Sequence, residues 1–199
     1  MVRFKRTGLL LLMSAMLSIV SADDLVDDSA NDLSRAAISI IDSSVIYDGS
    51  YRAISYPLGD VAPTHGVCSD VVIRAYRELG YDLQQLVHED MKRNFSHYPS
   101  QRMWGLKSTD RNIDHRRVPN LEVFFARKGE VLPITQKSED YRAGDIVSWR
   151  LNNGLPHIGI VIDEKASSGR PMIVHNIGRG QIAEDVLFHW EIVGHYRFK

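Results

Sequence analysis

Cysteine is almost missing from this chain: Cys68 stands alone. One thiol cannot form an internal disulfide, so no covalent framework supports the fold. An excess of one charge is missing too. The 24 Lys and Arg balance 25 Asp and Glu, for a formal net charge of −1, which excludes the basic footprint of a nucleic-acid binder. Internal repeats and low-complexity segments are absent. After residue 20 there is no long apolar run, so no later segment suits a membrane span.

The single apolar run, residues 9–20, is short for a span. Arg3, Lys5 and Arg6 precede it, and Val20-Ser21-Ala22 with Asp23-Asp24 follows it. This pattern reads as a secretion signal over residues 1–22, with cleavage before Asp23. No cysteine follows the run to accept a lipid. Residues 23–199 then form one soluble domain with a modest acidic excess, periplasmic or secreted, with no stable membrane span after cleavage. An exported protein meets an oxidising compartment. A lone thiol there is tolerable when buried, and worth keeping when it does chemistry.

What is present is organised around residues 65–80. Pro63 and Gly66 break the chain. Cys68, Val72, Ala75 and Leu79 then recur as one apolar helical stripe, and Gly80 ends it. Cys68 therefore opens a helix. The unpaired N–H groups of a first helical turn favour a thiolate over a thiol. The competing reading is a small buried hydrophobe.

Further helices are expected over 24–43, from Asp82 as a cap through Met91, and over 121–128 with Asn120 as its cap. Residues 92–119 read as irregular and polar. From Tyr141 the pattern changes to strands: 146–150, 157–162, 172–177 and one within 192–198. Helices first and an antiparallel sheet after them make an α+β domain, with the cysteine helix packed on the sheet.

A cysteine nucleophile needs a base, and a third group to orient that base. His157 opens a strand and suits the first role. Gly159, on its face, leaves room for the helix to approach. His175 or Asn176 suits the third role, according to hairpin register. Pairs summing to 332 set His175 opposite His157, and pairs summing to 333 set Asn176 there. His65 and Cys68 also have the spacing of a zinc ligand pair, but no second close pair exists. Neither a metal nor another cofactor is expected.

The cysteine helix, Gly144-Asp145-Ile146-Val147, His157-Ile158-Gly159-Ile160-Val161 and Ile173-Val174-His175 resemble the NlpC-type branch of the papain-like cysteine peptidases. Gly66-Val67-Cys68-Ser69-Asp70, the run 114–121 and His175-Asn176-Ile177-Gly178 resemble an uncharacterised bacterial cell-envelope family within that superfamily, classed as a domain of unknown function. The resemblance implies a papain-like fold and a Cys68-His157-His175 triad acting through an acyl-enzyme on a peptide or amide bond of peptidoglycan. It also implies that Tyr56 helps stabilise the oxyanion.

Val67 and Asp70 depart from the pattern. NlpC-like enzymes usually carry Asp at the first place and Gly at the second, and the usual Asp binds a substrate amine. The stretch between Cys68 and His157 is also long. It holds Trp104 and the run 114–120, whose His115, Arg116 and Arg117, with Asp70 and Trp104, are the candidates for substrate binding. The arginines suit carboxylates; their alternative is an internal ion-pair cluster with Asp110 or Asp114. Other expectations for the chain are an acyltransferase or transpeptidase with the same triad, or a binding protein on a retired scaffold.

Overall fold

The computed structural model describes residues 22–199. The signal expected at residues 1–22 lies outside the described residues except for Ala22. Among these described residues, five α-helices lie mostly in the first two thirds of the chain: α1 (Ala22–Ser39), α2 (Cys68–Glu78), α3 (Leu83–Asn94), α4 (Ser100–Trp104) and α5 (Val118–Lys128). Strands β3 (Glu130–Val131), β4 (Ile146–Arg150), β5 (Pro156–Lys165), β6 (Pro171–His175), β7 (Ile182–Glu184) and β8 (Glu191–Arg197) form a six-stranded sheet in the order β3-β8-β4-β5-β6-β7. All its pairings are antiparallel. The expected α+β fold is the fold observed.

Alternation along the central strands decides which face meets the helices. Ile146, Ile158, Ile160, Ile162 and Val174 pack with Leu33 of α1, Val71, Val72 and Ala75 of α2 and Phe124 and Phe125 of α5. The alternate residues Val147, Trp149, Val161 and Ile173 form a second cluster with Tyr141, Leu187 and Ile192 on the opposite face. The helices thus lie against the isoleucine face of β5, not against Gly159.

Several local features differ from the sequence expectation. Residues 92–119, read as irregular, hold the end of α3 and all of α4, and the short strands β3 and β7 have no counterpart among the expected strands. α5 begins at Val118, one turn earlier than read, because Pro119 sits comfortably in a first turn. Asn120 is therefore inside the helix rather than its cap. Its side chain donates to the Asp114 carbonyl at 3.0 Å and accepts from the Ser100 hydroxyl at 3.2 Å. Near Tyr47, a two-residue parallel ladder joins β1 (Ile46–Tyr47) to β2 (His65–Gly66), pairing Tyr47 with Gly66.

Candidate active site

Cys68 is the first residue of α2, buried against the sheet. The backbone N–H groups of Ile158, Ser69 and Cys68 itself face its sulfur, and they favour the thiolate as a helix start should. Burial outweighs them and pushes the thiol up to about 11, with the Asp70 carboxylate adding to the rise. Cys68 therefore rests as a thiol, against the expectation of an easily formed thiolate.

His157 begins β5 and is buried between Trp149 and Trp190, with ring centroids 5.8 and 5.5 Å away. Its Nε2 lies 2.8 Å from His175 Nδ1. The other nitrogen of His175, Nε2, lies 3.0 Å from Glu184 Oε2. A carboxylate only accepts, so His175 carries its proton on Nε2 and presents a bare Nδ1. His157 must then donate through Nε2–H, which leaves its own Nδ1 as an unprotonated base. No described residue takes a hydrogen bond from or to that Nδ1. Burial, aided by the neighbouring His175, lowers His157 to about 3; burial, then Arg179, lowers His175 to about 4. Both rings are neutral at pH 7, as this proton arrangement requires.

The hairpin register that brings the histidines together is neither of the two expected. Ile160 pairs with Val174 and Val161 with Ile173, so partners sum to 334. His175 stands across from Gly159 and reaches His157 diagonally. A Cβ at position 159 would lie 2.6 Å from Ile173 Cγ2 and 3.2 Å from His175 Cβ. The glycine makes room for β6, not for the helix. Asn176 is not in this chain of rings: its amide donates to the Gly66 carbonyl at 3.3 Å, and its oxygen accepts from Gly178 N–H at 2.9 Å.

The tyrosine at Cys68 is Tyr47. Its hydroxyl faces the Cys68 side chain, and although the residue is half exposed, desolvation first, then Cys68 and Asp70, push it above the ordinary tyrosine range. The ladder between β1 and β2 holds it there. Tyr56, expected in this role, packs edge-on against His88 at 5.2 Å and under Arg111 at 5.7 Å. A two-residue parallel pairing leaves too little periodicity in the sequence to reveal the exchange. Glu184 was equally hidden, since its strand is only three residues long.

A family model described as Domain of unknown function (DUF1287) matches residues 34–198. The chain belongs to that family. A fellow protein, Uncharacterized protein YijF of Escherichia coli (strain K12), is 57% identical over 158 residues, covering 79% of this chain and 76% of that protein. Among solved structures, an N-acetylmuramoyl-L-alanine amidase from Bacteroides uniformis ATCC 8492 shares the fold. Its TM-score is 0.52 at 14% identity, over 86% of this chain and 99% of that one. NlpC1 from Trichomonas vaginalis gives 0.44 at 16% identity over 94% of this chain, which spans 48% of that protein.

Within this DUF1287 chain, three of the expected substrate-binding residues are instead internal. Asp70 is buried at the first turn of α2, where one oxygen accepts from Val67 N–H at 2.6 Å. Both its oxygens also bind Arg116, through Nε and Nη2 at 2.8 Å each. The Arg116 side chain is 3% exposed, and its carbonyl accepts from the Ser69 hydroxyl at 2.7 Å. Arg116 thus fastens the cysteine helix to the turn Asp114–Arg116. His115 is buried beside it, lowered to about 4 by burial and then by Arg116. Arg117 and Trp104 do line the groove that opens at Cys68, together with Tyr47, Tyr51 and Pro156. His65 lines a different groove, with its Nδ1 2.9 Å from Thr64 Oγ1.

Proposed function

We propose that this protein is an exported thiol hydrolase that cleaves a peptide or amide bond of peptidoglycan. The hydrogen-bond chain from Glu184 through His175 to His157 carries this reading, because it leaves a bare imidazole nitrogen on a histidine at the start of the strand whose Ile158 N–H faces the Cys68 sulfur. The amidase that shares the fold, named for the N-acetylmuramoyl-L-alanine bond, supports the choice of polymer. The secretion signal read at residues 1–22 would bring the protein to the cell envelope.

In the reaction, His157 Nδ1 takes the thiol proton as Cys68 Sγ attacks the carbonyl carbon. The oxyanion is held by the Cys68 backbone N–H and the Tyr47 hydroxyl. Collapse breaks the C–N bond, and His157 gives its proton to the departing amine. Water then attacks the thioester, His157 removes its proton, and the thiol is restored. Neither ring needs to be charged at rest, which suits their burial.

Digestion of purified sacculi tests this. The native protein should release fragments whose masses name the bond, and Cys68→Ala should release none. Tyr47→Phe should lower kcat by on the order of a hundredfold, the usual loss for one oxyanion donor. Fragments released by Cys68→Ala would exclude the mechanism.

A further inference from the structure

The groove at Cys68 holds about 440 Å³ and no acidic side chain is among the described residues that line it. Its charged groups are Arg116 and Arg117. Arg116 is neutralised by the bidentate bond to Asp70. Arg117 is not spent in the same way. Its guanidinium lies over the Trp104 ring at 4.2 Å, and its Nη1 meets Asp114 Oδ1 at 3.3 Å. No described residue accepts from its Nε or Nη2. A guanidinium seated over an indole and tethered at one corner has lost much of its freedom. Its remaining edge is set up for a planar, two-oxygen acceptor.

The position before the cysteine is Val67, which also lines the groove. It offers nothing to a substrate ammonium group. Cationic recognition and a missing anion point the same way.

We propose that Arg117, held by Trp104 and Asp114, binds a carboxylate of the substrate, so that this site selects acidic peptides over their neutral amides. The hydrolysis assigned to Cys68 is the setting for this subsite, but the binding itself does not need a working thiol.

The test is binding by calorimetry to the protein carrying Cys68→Ala. Two synthetic peptidoglycan stem peptides serve as probes, identical except that one has every carboxyl group free and the other has each converted to carboxamide. The free-acid peptide should bind at least tenfold tighter. Adding Arg117→Gln should erase the preference, Arg117→Lys should restore part of it, and Trp104→Leu should weaken it. Equal affinity for the two peptides, no binding of either, or a preference that survives Arg117→Gln would overturn the proposal. If the preference is found while the native protein cleaves neither peptide nor sacculi, the carboxylate site stands and the hydrolase reading falls.

Discussion

His175 Nε2 and Glu184 Oε2 are 3.0 Å apart, and this one bond decides where the proton sits on two histidines. An imidazole can face its neighbour with either nitrogen protonated. Without an acceptor at the far end, His175 would sample both tautomers, and His157 would spend part of its time with its proton on Nδ1. Glu184 is itself held by the exposed Arg179.

Glu184→Ala should therefore lower kcat by on the order of tenfold or more, a fraction of what a general base supplies. KM should stay near the native value, because Glu184 lies outside the groove. Glu184→Gln retains an acceptor oxygen and should keep much of the activity. A pH–rate profile of the three proteins checks this: a shifted limb in Glu184→Ala, reversed in Glu184→Gln, separates positioning from a loss of fold.

The second prediction concerns the resting thiol. Burial pushes Cys68 up to about 11 and His157 down to about 3, so both partners favour the neutral pair. Thiolate absorbance near 240 nm, taken as the difference from Cys68→Ala, should stay absent at pH 7. It should rise only in alkaline solution. A thiolate signal already present at pH 6 would mean that an ion pair survives burial.

Much of this site was legible in the sequence. Cys68 and His157 open elements of eleven and ten residues with clear apolar periods, His175 closes a strand of five, and the order of helices and strands follows from the same periods. What escaped notice depends on contacts that leave no period. The register sum of 334 is set by Gly159 admitting Ile173 and His175 at close range. Tyr47 and Glu184 reach the centre on strands of two and three residues. Arg116 and Arg117 are adjacent in the chain, yet one faces a buried carboxylate and the other an indole, and only tertiary packing distinguishes them.

That difference gives a third prediction. Arg116→Ala leaves Asp70 charged, buried and without its main partner, so it should destabilise the protein by about 3–5 kcal/mol. Replacing both residues by apolar ones of similar size should cost much less. Arg117→Gln, at the groove surface, should change stability little. Urea unfolding of the single and double variants measures all three.

Acid should weaken the fold through its buried imidazoles. His115, His157 and His175 are held at about 4, 3 and 4, all below the ordinary 6.5 and all first by burial. In the unfolded chain they take up protons below about 6.5, whereas the folded protein resists. Their contribution is therefore present above that pH and is lost as pH falls towards 3. Asp114 acts in the opposite sense, since burial raises it to about 6 and its protonated form suits the fold. Three groups outweigh one, so Tm should fall by several degrees, on the order of what a few kcal/mol produces, between pH 7 and pH 4. Asp114→Asn should steepen the fall by removing the opposing group.

The last prediction returns to Gly159. An alanine methyl there would meet Ile173 Cγ2 at 2.6 Å, the Val174 carbonyl at 3.0 Å and His175 Cβ at 3.2 Å. The first two sit on the next strand of a paired ladder and cannot swing aside, so β6 must shift. Overpacking of this kind costs about 1–3 kcal/mol. The shift would also draw His175 away from His157, whose Nε2 now has it at 2.8 Å. Gly159→Ala should thus lose activity out of proportion to its stability, at a temperature where the variant remains folded. A proportionate loss would mean that the diagonal pair tolerates movement and that the glycine serves packing alone.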